Sequence, residues 1–161
     1  MKRALFIPLL AFALAACQQQ TQQQEAGQSS AVAPDGKPGI AAKDGVLVLP
    51  AVKGNPGAAY FSIFNGNDAE VTIAAVAVAG AGKAEMHRSS GDSMTPLDSV
   101  PIKPDWTERF LPGARHVMLF DLDPALAPGG VADMTIIFAD GDKFTVPLKI
   151  RAAGDMMEHE H

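Results

Sequence analysis

The side chains of this chain that can do chemistry are histidines and methionines. The four histidines are His87, His116, His159 and His161, and the first three lie within two residues of a methionine. In His116-Val117-Met118 the pair is separated by one residue. Residues two apart on an extended backbone point to the same face, so an imidazole and a thioether stand side by side there. Met94 precedes His116 by a spacer of twenty-one residues, and His87 precedes Met94 by a spacer of six. Thioethers and imidazoles together suit Cu(I) better than Mg²⁺, Ca²⁺ or Mn²⁺, which prefer oxygen, and a thioether has no proton to lose before it binds. Met156, Met157, His159 and His161 form a second soft, nitrogen-rich group in the tail, interleaved with Glu158 and Glu160. Such a tract is either a solvated terminus or a second metal site that needs no fold, in which case its imidazoles and carboxylates suit Cu(II).

Other chemistries lack their parts. There is no G-x-S-x-G elbow, no phosphate-cradling glycine loop and no H-E-x-x-H. Ser89, Ser90 and Asp92 lie near His87, but a hydrolytic triad is assembled in space rather than along one turn. The expectation is a protein that is not an enzyme. Cys17 is the only cysteine, so neither a disulfide nor a thiol pair is available within the chain.

The order of the chain says where these groups work. Residues 1–16 carry Lys2 and Arg3, then an apolar run ending in small residues, which reads as an export signal. Leu14-Ala15-Ala16-Cys17 resembles the lipobox of bacterial lipoproteins, which implies that Cys17 is lipidated and becomes the mature N-terminus. By the same resemblance, Gln18 after the cysteine favours the outer membrane, with the domain in the periplasm. Loss of the signal removes two of 13 cations and none of 18 acids, leaving a net charge of −7. Such a surface is a poor nucleic-acid binder. Residues 17–44 hold almost no bulky apolar side chain and read as a flexible linker, with a span of roughly 30 Å for a coil of this length.

Residues 45–152 carry the texture of an antiparallel Greek-key β-sandwich. Segments 46–50, 58–64, 70–78, 84–87, 115–122, 131–138 and 143–150 are of strand length and are separated by turn residues. Phe144, Val146, Leu148 and Ile150 alternate with Lys143, Thr145, Pro147 and Lys149, a period of two. Pro147 has no N–H to donate, which predicts an edge strand or a bulge. Asp140-Gly141 predicts a tight hairpin. Met86 and Met134 fall on the core side of their alternation. Residues 153–161 are the Met/His-rich tail.

Taken together, the segments AEMHRSSGDSM, PGARHVMLFDL and LAPGGVADMTIIFADGDKFTVPLKI resemble the periplasmic copper chaperone PCu(A)C family. That family carries a His or Met, a Met, twenty-one residues, then His-x-Met, so the resemblance implies His87, Met94, His116 and Met118 as ligands of one Cu(I). The spacer between His87 and Met94 is shorter than the usual ten, which predicts a shortened hairpin around Gly91 and Asp92. A tryptophan usual near the start of such domains is missing from 46–52. The resemblance further implies a cupredoxin-like fold, a monomer, and delivery of copper to a copper-accepting protein. That acceptor is cytochrome c oxidase subunit II, at its CuA site, or another assembly chaperone. A copper-buffering, storage or resistance lipoprotein without a dedicated client stands as the alternative.

Overall fold

The computed structural model describes residues 36–155, and these form ten strands and no α-helix. They are β1 (Ile40–Val48), β2 (Gly57–Asn65), β3 (Val71–Val78), β4 (Ala81–Ser90), β5 (Ser93–Pro96), β6 (Val100–Ile102), β7 (Trp106–Phe110), β8 (Arg115–Leu122), β9 (Val131–Phe138) and β10 (Lys143–Arg151). One open sheet runs in the order β5-β4-β8-β7-β2-β1-β10-β9-β3-β6. β3 and β4 are consecutive in the chain yet sit towards opposite ends of that order. They nevertheless wall a common cleft with Ala74, Val76, Glu85 and Met86, so the sheet folds over on itself into two layers.

The core between the layers follows the period-two pattern. Ala132, Met134, Ile136 and Phe138 of β9 and Val146, Leu148 and Ile150 of β10 are buried, as are Met86 of β4 and Val117 and Leu119 of β8. Phe61 and Phe110 stack with ring centres 4.3 Å apart. Asn65 is the buried amide of this interior. Its Nδ2 donates to the carbonyls of Ala69 and Ile102, and its Oδ1 accepts from the Asn67 N–H, so no polar atom is stranded.

Several expectations are corrected by long-range pairing. β1 begins at Ile40, so residues 40–44 belong to the sheet and not to the linker: Ile40 through Lys43 pair with Asn65 through Ser62. β10 is an interior strand, flanked by β1 and β9, despite Pro147. The missing N–H is tolerated because β1 is irregular between Lys43 and Val46, and the register of β1 with β10 begins only at Val46↔Lys149. Gly45 belongs to that irregularity, and a Cβ there would meet the Pro147 carbonyl at 2.4 Å. The sheet is also not wholly antiparallel, since β1 pairs β10 in parallel and β7 meets β8 in parallel at Phe110↔Arg115. β7 and β8 lie end to end along β2, separated by the Leu111–Ala114 loop. The short strands β5 and β7 carry mixed polar sequence and β6 is only the three residues Val100-Pro101-Ile102, so pairing rather than a sustained apolar period makes them strands.

Candidate metal centre

The site is built on β5, β4 and β8. Gly91 (φ 57°) and Asp92 turn β4 into β5 with Ser90 opposite Ser93, the short hairpin expected from the spacer. On its other side β4 pairs with β8 without interruption, and His87 falls directly opposite His116, Glu85 opposite Met118. Directly opposed residues share a face, and so do residues two apart. His87, His116, Met118 and Glu85 therefore stand together on the face turned away from Met86 and Val117. Met94 joins the same face opposite Ser89, one diagonal step from His87.

The two imidazoles have ring centres 6.1 Å apart. With metal–nitrogen bonds near 2.0 Å, rings that share one ion lie roughly 5 Å apart in a bent and roughly 6 Å apart in a near-linear arrangement, so the pair stands at the wide, near-linear end of that range. His116 is 5% exposed and the His87 side chain 13% exposed. Met118 is half-buried, whereas Met94 is 52% exposed.

Hydrogen bonding decides which ring nitrogens are left free. His116 Nδ1 lies 3.0 Å from the Ala114 carbonyl, which can only accept, so Nδ1 carries the proton and Nε2 keeps the lone pair. His87 Nε2 lies 3.3 Å from Glu85 Oε2, which assigns the proton to Nε2 and the lone pair to Nδ1. His87 Nδ1 is buried and has no hydrogen-bond partner. A buried acceptor left alone costs about 1–3 kcal/mol, and a metal ion is the partner that would relieve it.

Electrostatics fit a cation. Lys83 first, at 2.6 Å, and then His87 hold the Glu85 carboxyl below the ordinary carboxylate range, so it stays ionised beside the histidines. Burial pushes the Tyr60 phenol above its usual value, and it adds no charge from the neighbouring strand. Among the described residues no three His, Cys, Asp or Glu side chains are grouped to hold a metal. An ion here would take two imidazoles and depend on thioethers for the rest, a donor set that suits a soft, low-coordinate ion.

The profile of the LpqE-like lipoprotein family matches residues 40–150. The chain belongs to that family. No curated protein matches it. Among solved structures this LpqE-like chain is similar to a copper-bound PCuAC domain from PmoF2, at 21% identity and a TM-score of 0.62, covering 71% of the chain and 93% of the domain. It is also similar to an apo PCuAC domain from PmoF1, at 24% identity and 0.61, covering 71% and 94%. A third is the solution structure of Cu(I)-DR1885 from Deinococcus radiodurans, at 21% identity and 0.52, covering 70% and 76%. The LpqE-like fold is thus the all-β, cupredoxin-like one expected from the sequence.

Of the residues singled out in this LpqE-like sequence, His87, His116 and Met118 are immediate neighbours, and Met94 stands at the corner of the group. Met86 and Met134 are core. Cys17, Met156, Met157, His159 and His161 lie outside the described residues. Glu85 was not anticipated. Its signal was available, because alternation places it two residues before His87 on the same face.

Proposed function

We propose that this LpqE-like protein is a periplasmic Cu(I) metallochaperone. His87 Nδ1, His116 Nε2 and Met118 would form the inner ligand set, with Met94 as the outer ligand. The observation that carries the reading is the buried, partnerless His87 Nδ1 directly opposite a histidine whose Nδ1 is already committed to a carbonyl. It is supported by the fold shared with a copper-bound PCuAC domain and with Cu(I)-DR1885. Copper is the cargo, and soft ligands near the surface let a partner reach it. Cys17 would anchor the chain in the membrane through lipid, residues 156–161 would collect Cu(II), and the acceptor would be the CuA site of cytochrome c oxidase subunit II.

The test is a Cu(I) titration of the full chain against a chromophoric chelator, followed by mixing with an apo subunit II fragment. One tightly held equivalent, lost in His116→Ala, is expected. Appearance of the CuA absorption on mixing would support delivery, and retention of copper would favour the buffering alternative. Binding no tighter than that of the His116→Ala variant would sink the copper reading.

A further inference from the structure

Next to the histidine strands runs a strand edge with nothing paired to it among the described residues. β7 pairs with β2 along its whole length, from Phe61↔Phe110 to Asn65↔Trp106, but meets β8 only at Phe110↔Arg115. From Trp106 to Arg109 the other edge of β7 has no strand partner among the described residues. An open groove of about 480 Å³ lies there, lined by Trp106, Thr107, Glu108, Arg109 and Arg115. Four consecutive residues of one strand point alternately to its two faces, so a groove lined by all four runs along the edge rather than over a face.

The surroundings of that edge are cationic, although the chain as a whole carries a net charge of −5. Of the four arginines in the described residues, Arg109 and Arg115 line the groove, and Arg88 stands next to it on β4. Arg88 is paired directly opposite Arg115, one residue along from the His87↔His116 pair, and like charges in that relation repel. Glu108 binds Arg115 at 2.5 Å and is thereby used, while Arg88 and Arg109 have no ion-pair partner among the described residues. The Arg115 Nε is buried without an acceptor. Asp92 and Asp105 stand at the hairpin tip and at the start of β7, outside the lining. Trp106, 55% exposed, offers a flat apolar surface beside the charges.

We infer that the free edge of β7 is a docking site for an extended, acidic segment of the protein that exchanges copper with this one. The segment adds as a strand. Its backbone takes up the free N–H and C=O groups of β7, and its carboxylates neutralise Arg88 and Arg109 and reach the Arg115 guanidinium. The groove reaches Arg115, the residue before His116, so a segment seated there brings the acceptor up to the strand that carries the cargo, and the positive rim of an otherwise acidic protein selects and orients it. The role given to this edge rests on the copper reading above, but its occupancy is measured separately.

Trp106 is the only tryptophan in the chain, so its fluorescence reports the groove directly. Full-length protein is titrated with an extended peptide of about six Glu and Thr residues in which Glu occupies adjacent positions, so that carboxylates reach both faces of the added strand, and with the same peptide carrying Gln for Glu. The Glu peptide should give a saturable change in Trp106 emission. Its affinity should be at least tenfold that of the Gln peptide, should fall as salt is raised, and should drop at least tenfold in the Arg88→Gln/Arg109→Gln variant. Cu(I) affinity of that variant by chelator competition should equal wild type. If wild-type protein holds no Cu(I), the copper reading fails while the peptide result still stands or falls by itself. Equal affinity for the Glu and Gln peptides would overturn the docking site, and so would a dimer in solution that the Glu peptide does not dissociate.

Discussion

His87 and His116 are directly opposed across β4 and β8, with ring centres 6.1 Å apart, and the Nδ1 of His87 is buried without a hydrogen-bond partner. In the metal-free protein this arrangement is a cost. A stranded buried acceptor disfavours folding unless something binds it, so the pair separates stability from binding in opposite directions.

His87→Leu should therefore leave the metal-free protein as stable as wild type, or stabilise it by up to about 1 kcal/mol, because an unsatisfied atom is removed. Cu(I) affinity should fall more than tenfold. Thermal melts of the apo proteins and chelator competition check both halves. A destabilised apo variant with full Cu(I) affinity would mean that the ring serves packing alone.

The two methionines should behave unequally. Met118→Leu keeps the volume and should cost less than about 1.5 kcal/mol of stability while strongly weakening Cu(I) binding. Met94→Leu, at the exposed corner, should weaken it less. Mild peroxide should oxidise Met94 before the core residues Met86 and Met134, which peptide mass spectrometry reads directly. Equal copper losses in the two variants would show that Met94 reaches as deep into the site as Met118.

The start of β1 predicts a pH dependence. Lys37 lies under the β9–β10 hairpin with its side chain 9% exposed, bonded to Asp140 and, at 2.6 Å, to Asp142. The hydrogen bond from Lys37 is the largest cause of a lowered Asp140 carboxyl, so its contribution to stability is present above the ordinary value of 3.8 and is lost as pH falls through the folded value. For Lys37, burial is the largest single influence and lowers it. The hydrogen bonds and charges of Asp140 and Asp142 outweigh burial, and the net shift is upward from 10.5. Its contribution is complete below 10.5 and is lost as pH rises through the folded value. Lys37→Met should flatten both limbs of a melting-temperature profile against pH. An unchanged acid limb would assign the loss of stability to other carboxyls.

Gly45→Ala should destabilise by about 1–3 kcal/mol, since the new methyl meets a backbone carbonyl of an interior strand that cannot step aside. Copper affinity per folded molecule should not change, because Gly45 is on β1, away from β4 and β8. A denaturant melt and one chelator titration are enough to check it, and a neutral substitution would show that β1 relaxes freely there.

Much of the protein was legible in the residues themselves. Ligand chemistry is local: imidazole and thioether choose a soft ion wherever they stand, and His116-x-Met118 shares a face on any strand. The alternation in 131–138 and 143–150 marks strands whose inward residues form the core, and Asp140-Gly141 and Gly91-Asp92 mark hairpins because only a tight turn uses them well. What no local pattern carries is the pairing between distant strands. Register decided that His87, rather than a neighbour, faces His116 across nearly thirty residues of chain, and that Met94 falls opposite Ser89 at the corner. A slip by one residue would have turned either to the other face. Pairing likewise placed Pro147 in the interior, beside a bulge in β1 that supplies the room, and drew residues 40–44 into the sheet. Only the tertiary structure could set which imidazole nitrogen is free. That choice belongs to the Ala114 carbonyl and the Glu85 carboxylate, and a proton goes to whichever ring atom meets an acceptor in space.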